Sequence, residues 1–396
     1  MIGSGRRIRI HSSCSSWISV LFVVSSLLLF QAASAAAQKP AGDYLVYVGS
    51  YTNTTAKGIY AWRFDSARGT LAPIGLVAEA VYPAQLWASP NGRFIYAANW
   101  QGNDTTPGDT ITAYAIDRRS GALTFLNKVG CGGSGPNQVV VDPGGKVAVA
   151  VNYRSGSVAA FGIEPDGKLT DAFYIDQHAG QPQPPSRQPG PRAHGVEFSS
   201  DSRFAFVADI GIDRVYSYHL DTARRTMTPF DPPYVQMKAG SGPRRLQMHP
   251  SGKFLYLLRE SDSTVSVFTV NGGSLQEIQS LSTVPPDYTG SNTTAEIQID
   301  RAGRFVYTSN RGHDTIAVFA IHPDKGTLTP VERVYAGGKT PRNFTLGPTP
   351  GYLFTSNQNG ENIVVFRVDP KSGRMTQTGE EAKLANPGSI VFVKAQ

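Results

Sequence analysis

The sequence predicts an all-β fold, a seven-bladed β-propeller of four-stranded antiparallel sheets, from three observations. Hardly any segment has the apolar periodicity of an amphipathic helix, whereas runs that alternate as strands do are frequent. A unit of turn, apolar run and alternating run recurs at intervals of roughly 50 residues, the period of propeller blades. The two ends of the repeated region are complementary parts of one such unit. A closed ring of similar sheets accounts for all three features.

The repeated unit is clearest in residues 242–270. A first strand leads to the turn Pro250-Ser251-Gly252, and an apolar second strand at 254–258 and an alternating third strand at 264–270 follow. Equivalent turns occur at residues 90–92, 143–145, 200–202, 301–303 and 348–350. The second strands after these turns are expected at residues 94–99, 147–152, 204–209, 305–310 and 352–357. A turn of the pattern D/N/H-x-x-x-G-x-L, as at residues 117–123 and 322–328, predicts the fourth strand.

The two ends of the chain supply the remaining blade. Residues 44–50 and 58–64 match the second and third strands of a blade, but no first strand precedes them. Residues 386–393, NPGSIVFV, have the pattern of that first strand. We therefore expect one blade to combine both ends, which closes the ring and leaves no unpaired edge between them. A solenoid would instead have atypical capping repeats at its ends.

Residues 1–37 have the pattern of a secretory signal peptide. Three arginines precede an apolar run at residues 17–30, and small residues follow it up to Ala37. The run is shorter than the ~20 residues that a membrane-spanning helix needs, which argues against the alternative of an uncleaved anchor. We expect cleavage after Ala35 or Ala37, a propeller domain at residues 38–396, and a periplasmic or secreted protein without stable membrane insertion.

Composition and motifs argue against several classes of function. Without the three arginines of the leader the formal net charge falls from +7 to about +4, too little for a nucleic-acid footprint. Cys131 is then the one remaining cysteine, so no intramolecular disulfide is expected. The histidines lack metal-ligand spacing and no Gly-x-Ser-x-Gly motif occurs, so we expect no metal, no cofactor and no serine esterase of the commonest design. The oligomeric state stays open.

The propeller geometry assigns two sets of residues to one rim of the central channel, because first strands begin where second strands end. The starts of the first strands are Ala84-Gln85, Asn137-Gln138, Arg192-Ala193-His194, Arg244-Arg245, Ala295-Glu296, Arg342-Asn343 and Gly388-Ser389. The ends of the second strands are Tyr51, Asn99-Trp100, Asn152-Tyr153-Arg154, Asp209, Arg259-Glu260, Asn310-Arg311 and Asn357-Gln358. Since the planar arginine fork matches carboxylate and phosphate, this rim suits a small polar anion. Alternatively, the arginines pair with neighbouring acids and hold the blades in register.

Several long strings, among them YVGSYT, SNRGHDTIAVF and GKTPRNF, resemble the seven-bladed lactonases, a family that includes bacterial 6-phosphogluconolactonase and fungal carboxymuconate lactonizing enzyme. The likeness covers essentially the whole mature chain. The family's proposed catalytic set is a His that opens an inner strand, an Arg in G-P-R, a Glu that closes the following strand and an Arg in S-N-R-G-H-D. Here His194, Arg244, Glu260 and Arg311 occupy these positions. The resemblance implies hydrolysis of a sugar-acid lactone, 6-phosphogluconolactone or a related anionic aldonolactone.

Three rim positions differ from the family pattern. Arg245 and Asn137 stand where histidines are common, and Arg192 changes the motif P-H-A-H to P-R-A-H. These differences change the charge of the rim and therefore bear on the identity of the substrate. The expected export also bears on the identity of the substrate, because phosphorylated sugars are cytoplasmic. An unphosphorylated aldonolactone or another acidic lactone outside the cytoplasm is the alternative.

Lactone hydrolysis requires a base for water and a donor for the carbonyl oxyanion. We expect Glu260 to be the base and His194 the acid, with His194 as the alternative base. Arg244 and Arg311 are expected to bind the oxyanion or the substrate anion. The other residues expected to bind the small anionic lactone are Asn152, Tyr153, Arg192, Arg245, Glu296, Asn310, Arg342, Asn343 and Asn357.

Two further alternatives remain open at this stage. Residues 177–192 interrupt the blade pattern with several prolines and form either an irregular surface connection or a lid over the channel mouth. The alternatives to lactone hydrolysis are an exported propeller that binds without catalysis and a muconate-type lactonizing cycloisomerase.

Overall fold

The computed structural model describes residues 43–100, 109–182 and 189–396, so the leader expected at residues 1–37 lies outside the described part. The described residues form β-strands and turns without a helix, and none of them belongs to an apolar helix long enough to cross a membrane. The strands of the first half are β1 (Tyr44–Ser50), β2 (Gly58–Asp65), β3 (Thr70–Glu79), β4 (Gln85–Ala88), β5 (Phe94–Asn99), β6 (Thr110–Ile116), β7 (Leu123–Gly130), β8 (Pro136–Val141), β9 (Val147–Asn152), β10 (Ser157–Ile163), β11 (Leu169–Gln177), β12 (Ala193–Phe198), β13 (Phe204–Asp209) and β14 (Arg214–Asp221). Those of the second half are β15 (Thr226–Gln236), β16 (Pro243–Met248), β17 (Phe254–Arg259), β18 (Thr264–Asn271), β19 (Ser274–Ser282), β20 (Thr293–Ile299), β21 (Phe305–Arg311), β22 (Thr315–Ile321), β23 (Leu328–Tyr335), β24 (Pro341–Leu346), β25 (Tyr352–Asn357), β26 (Asn362–Val368), β27 (Met375–Lys383) and β28 (Pro387–Lys394).

These strands form seven four-stranded antiparallel sheets, which confirms the predicted architecture. Six sheets use consecutive strands, from β4–β7 to β24–β27. The seventh has the order β28-β1-β2-β3, with Tyr44 opposite Lys394 and Val48 opposite Ile390. The expected closure of the ring by both ends of the chain is therefore confirmed.

The second strand of each blade is the most buried. Every residue of β5, β9 and β17 is buried, as expected of strands covered on both faces by neighbouring blades. Apolar clusters fill the spaces between blades, and one of them joins the last blade to the first, where Phe64 packs edge-on against Phe354 with ring centroids 4.9 Å apart. Burial of this apolar surface between blades stabilises the ring.

A repeated tyrosine links neighbouring blades. Its hydroxyl donates to a glycine carbonyl in the hairpin before the outer strand of the next blade, at 2.8 to 3.0 Å; the pairs are Tyr47 to Gly121, Tyr96 to Gly167, Tyr256 to Gly326 and Tyr307 to Gly373. Burial raises the pKa of these phenols above their ordinary value, so they remain neutral donors.

The first strands share an irregularity at the rim. The register shifts by one residue between Pro136 and Gln138, and likewise around His194, Arg244 and Arg342. Such bulges re-aim a side chain relative to the regular two-residue alternation. The bulge positions are thus the ones that carry polar side chains at the channel mouth.

Candidate active site

Glu260 lies at the centre of the rim, between two arginines. Arg244 donates from Nε to Glu260 Oε2 at 2.6 Å, and Arg311 donates from Nη2 to the same oxygen at 2.9 Å. Arg244 is only 2 % exposed and its Nη1 also donates to the carbonyl oxygen of Ala295. The Glu260 side chain, by contrast, is 23 % exposed. One carboxylate oxygen is therefore held by the arginines while the group remains accessible from the channel.

The charges around Glu260 keep it ionised. Burial alone would raise its pKa, but the neighbouring guanidinium groups of Arg244, Arg311 and Arg342 outweigh burial and lower the pKa below the ordinary glutamate value. Burial also lowers the pKa of Arg311 to about 10, which still leaves this side chain charged at neutral pH. The cluster is an ionised carboxylate within a positively charged surrounding.

His194 lies beside this cluster on β12. It follows Ala193 in a first strand that closely approaches β16, since a Cβ added at Gly195 would lie 2.3 Å from the carbonyl oxygen of Arg244. A glycine is required at this point of backbone approach. The Tyr153 ring packs perpendicular to the imidazole, with ring centroids 5.7 Å apart.

Asn137 determines which nitrogen of His194 carries the proton. Its Nδ2 donates to the His194 carbonyl oxygen at 2.8 Å and lies 3.0 Å from Nδ1 of the ring. Because the carbonyl can only accept, the amide nitrogen must face His194, and ring Nδ1 is then the acceptor of its second hydrogen. The neutral ring consequently carries its hydrogen on Nε2.

The imidazole is also kept neutral. Burial, followed by the charges of Arg244, Arg245 and other rim arginines, lowers the pKa of His194 well below its ordinary value. A neutral Nε2–H can donate a hydrogen bond to a developing oxyanion, but it does not release a proton readily. The site thus favours His194 as a donor.

Two arginines of the rim have aromatic neighbours in place of acids. Arg342 donates from Nε to the Tyr51 hydroxyl at 2.6 Å and lies over that ring. Arg192 donates to the backbone carbonyl of Arg154 at 2.7 Å and faces the ring of Tyr153. Neither guanidinium has a carboxylate within 4.0 Å among the described residues, so each can pair with an anion from outside the protein.

A second layer of polar side chains lies just below the rim and is here called the floor ring: Gln85, Arg245, Glu296 and Asn343. Arg245 contacts Gln85 at 3.1 Å and Glu296 at 3.6 Å, and Asn343 donates to Glu296 at 2.8 Å. Arg245, Glu296 and Asn343 are all at most 9 % exposed. These three predicted substrate-binding residues therefore close the lower side of the site and hold one another in place.

Three predicted substrate-binding amides are placed inside the blades. Asn152, Asn310 and Asn357 are fully buried, and each donates to the backbone carbonyl of a residue that follows the outer strand of the preceding blade, namely Cys131, Thr283 and Ala336. These bonds fasten the end of a second strand to the connection between blades. The three amides are accordingly absent from the site proposed below.

Two residues that the sequence places on the rim without a role contribute directly to the site: Tyr51 and Asn137. The sequence indicates their place on the rim only through their position, since Tyr51 follows the second strand of one blade and Asn137 opens the first strand of another. What the sequence could not indicate is the partner of each side chain. Residues 177–192 were expected to form either a lid or a surface connection. Within this segment, residues 183–188 lie outside the described residues.

Within residues 43–100, 109–182 and 189–396, no group of three or more His, Cys, Asp or Glu side chains is arranged to hold a metal ion. The arrangement instead combines one ionised carboxylate, one neutral histidine and several fixed guanidinium donors. Such a set can activate water and stabilise negative charge on a carbonyl oxygen.

Comparison with known proteins agrees with the fold. Residues 45–392 match the family model described as lactonase, 7-bladed beta-propeller. The chain is 34 % identical to 6-phosphogluconolactonase of Bacillus subtilis over 296 residues, covering 74 % of this chain and 81 % of that protein. It is 28 % identical to 6-phosphogluconolactonase of Formosa agariphila over 72 % of this chain and 80 % of that one.

A solved structure shows the same similarity to lactonases. The periplasmic gluconolactonase of Pseudomonas aeruginosa superposes with a TM-score of 0.84 at 30 % identity, covering 89 % of this chain and 99 % of that one. The chain therefore belongs to the seven-bladed β-propeller lactonases, a family of ester hydrolases.

Proposed function

We propose that the protein hydrolyses the lactone of a sugar acid that carries a negative group, such as 6-phosphogluconolactone. The observation that supports this substrate class is the excess of positive charge at the rim, where Arg192 and Arg342 have no acidic partner among the described residues. The relatives named 6-phosphogluconolactonase support the same chemistry. A phosphate or carboxylate pairs well with such forks of donors.

In the proposed mechanism Glu260 activates water. Its Oε2 is occupied by the two arginines, so Oε1 accepts a proton from water while the water oxygen bonds to the lactone carbonyl carbon. The carbonyl oxygen becomes an oxyanion, which His194 Nε2–H and the guanidinium of Arg311 stabilise. Collapse of this intermediate breaks the ring C–O bond, and Glu260 returns the proton to the leaving alkoxide. His194 thus acts as a hydrogen-bond donor, and the role of acid passes to Glu260.

A second candidate substrate is the unphosphorylated gluconolactone. Similarity to a periplasmic gluconolactonase favours it, together with the leader pattern at residues 1–37. In this case the substrate is neutral, and Arg192 and Arg342 would bind the carboxylate of the product.

A panel of lactones followed in a pH-stat separates the two. We expect kcat/KM for 6-phosphogluconolactone to exceed that for δ-gluconolactone, and KM for the phosphorylated substrate to rise with salt because screening weakens the arginine contacts. Arg342→Met should raise that KM and leave turnover of δ-gluconolactone almost unchanged. Faster turnover of the neutral lactone would assign the arginines to structure, and the spontaneous rate with every lactone would rule out catalysis.

We also propose that the protein is exported. The arginines, apolar run and small residues of the leader support this, as does the similarity to a periplasmic enzyme. Amino-terminal sequencing of the protein from the extracytoplasmic fraction should begin at Ala36 or Gln38. Recovery with Met1 intact would contradict cleavage.

A further inference from the structure

The central channel contains a cavity on the far side of the floor ring. Its volume is about 480 Å³, within the range of sites that hold small ligands. The turns that follow the first strands border its mouth, where the cavity is lined by Pro90, Pro143, Pro348 and the exposed side chain of Arg301. The cavity therefore faces the mouth opposite the catalytic rim, and the proposed hydrolysis makes no use of it.

The wall of this cavity is mixed in character. Side chains two residues beyond the floor ring point into the channel because strand residues alternate in direction. Trp87 of β4 contributes an aromatic surface, while Glu197 of β12 and Gln247 of β16 contribute polar groups. The Gln247 amide makes no hydrogen bond to any described residue, whereas the nearby Gln298 is fully used by the backbone and side chain of β24. The Gln247 amide is thus available to a ligand, whereas the Glu197 carboxyl group accepts a hydrogen bond from the backbone N–H of Met248 and can offer its other oxygen.

The carboxyl group of Glu197 has no compensating cation. No lysine, arginine or histidine of the described residues lies within 4.0 Å of it, in contrast to Glu296, which contacts Arg245 at 3.6 Å. Burial, together with the negative charge of Glu296, outweighs the hydrogen bond from the backbone N–H of Met248 and raises the pKa of Glu197 to about 8. At neutral pH this carboxyl group is therefore protonated and can both donate and accept hydrogen bonds.

We propose that the cavity is a second binding site, which takes a neutral sugar or another small polyol through hydrogen bonds to Glu197 and Gln247 and apolar contact with Trp87. Sugar hydroxyls both donate and accept, and so do a carboxylic acid and a primary amide. The apolar C–H surface of a sugar ring fits against an indole, which combines a large apolar face with a polar edge. The carboxylate of Glu296 also lines the cavity but is paired with Arg245, and Arg301 lies out at the mouth, so a charged ligand beside Trp87 would find no unpaired opposite charge among the described residues. The proposal is independent of the lactonase reaction.

The test measures binding of D-glucose, D-glucosamine and D-gluconate at pH 7 by isothermal titration calorimetry and ligand-observed NMR. D-glucose should bind to the wild type in the millimolar range, as expected of a small polar ligand with few anchoring groups. Glu197→Leu and Gln247→Leu should each weaken this binding by roughly tenfold or more, the effect of losing a buried hydrogen bond. Glu260→Gln, on the catalytic rim, is the matched control and should bind D-glucose as the wild type does.

The outcomes separate this site from the catalytic one. Lactone hydrolysis should be unchanged in Glu197→Leu, whose side chain lies beyond the floor ring. Stronger binding of D-glucosamine than of D-glucose would overturn the proposal in favour of a cation site. Loss of D-glucose binding in Glu260→Gln with retention in Glu197→Leu would place the sugar at the rim and also overturn it, as would the absence of saturable binding.

Discussion

In the proposed mechanism Glu260 has two roles that a substitution can separate. One oxygen compensates the charges of Arg244 and Arg311, and the other is available to water. Glu260→Gln keeps the size of the side chain but cannot accept the proton. We expect kcat for lactone hydrolysis to fall by roughly 10²- to 10⁴-fold with little change in KM, which is the range for loss of a general base.

The same substitution should lower stability, because the buried Arg244 and the partly buried Arg311 lose their carboxylate. Thermal unfolding of the variant therefore has to be measured beside its kinetics, at a temperature where it remains folded. Near-normal kcat in Glu260→Gln, together with a collapse of kcat in His194→Gln, would transfer the role of base to His194.

Asn137 offers a test of the state of His194. Asn137→Leu removes the donor to Nδ1 and should allow both tautomers, so that Nε2 loses its hydrogen in part of the population. We expect kcat to fall by roughly tenfold, the scale of one weakened oxyanion donor, with KM nearly constant.

Nitrogen-15 NMR of labelled histidine provides the readout that a merely structural change would not move. In the wild type, Nε2 of His194 should carry the hydrogen. The ring should stay neutral from pH 8 to below pH 6.5, the ordinary pKa of histidine, since burial and the rim arginines lower the pKa of His194. Titration near pH 6.5 in the wild type, or an unchanged tautomer in the variant, would contradict this account.

At the scale of strands, the sequence predicts most of the fold. The predicted second strands at residues 147–152 and 352–357 coincide with β9 and β25, because continuous apolar runs bounded by turns leave little choice of boundary. The bulges at Asn137, His194 and Arg342 were not predictable, since a register shift leaves no mark in a two-residue pattern. This is why the rim could be predicted as a set of positions, while the direction of each side chain could not.

The amides show the same limit. Asn152 and Asn357 end second strands, as Glu260 follows one, and position alone made them equivalent candidates. The structure places the asparagine amides against the connection to the preceding blade, where a backbone carbonyl needs a donor. The carboxylate one residue further along reaches the channel. A shift of one residue at a strand end is sufficient to exchange a structural position for one that faces the proposed active site.

Strand β28 permits a test of ring closure. It pairs with β1 over most of its length, and Ser389 accepts a hydrogen bond from the backbone N–H of Leu86 in the adjacent first strand. Deletion of residues 386–396 would expose the edge of β1 and the apolar cluster around Phe64. We expect the truncated protein to lose cooperative thermal unfolding in calorimetry and circular dichroism. A truncated protein that melts as the full chain does would show that the first blade does not need its inner strand.

At the scale of the whole molecule, the channel has two chemically different ends. The rim carries an excess of arginine charge, whereas the opposite half contains the uncompensated carboxyl group of Glu197. The floor ring separates them, with Arg245 and Glu296 paired across adjacent first strands. Because the two halves share one set of strands, a change in either half should be felt in the stability of the whole ring.

The ionisation of Glu197 should make the stability of the folded protein depend on pH. Its folded-state pKa of about 8 lies above the ordinary value of 4.5, so between these values the folded protein holds a proton that the unfolded chain has lost. Stability due to this group is therefore complete below about pH 4.5 and is lost as the pH rises to about 8. Glu197→Gln, which stays neutral, should have a Tm close to that of the wild type at pH 4.5 and about 5–8 °C higher at pH 9. Glu79→Gln, on the exposed outer strand β3, is the control for a surface carboxylate. A difference in Tm between Glu197→Gln and the wild type that is constant from pH 4.5 to pH 9 would mean that Glu197 is ionised throughout, and the cavity would then be better suited to a cation than to a sugar.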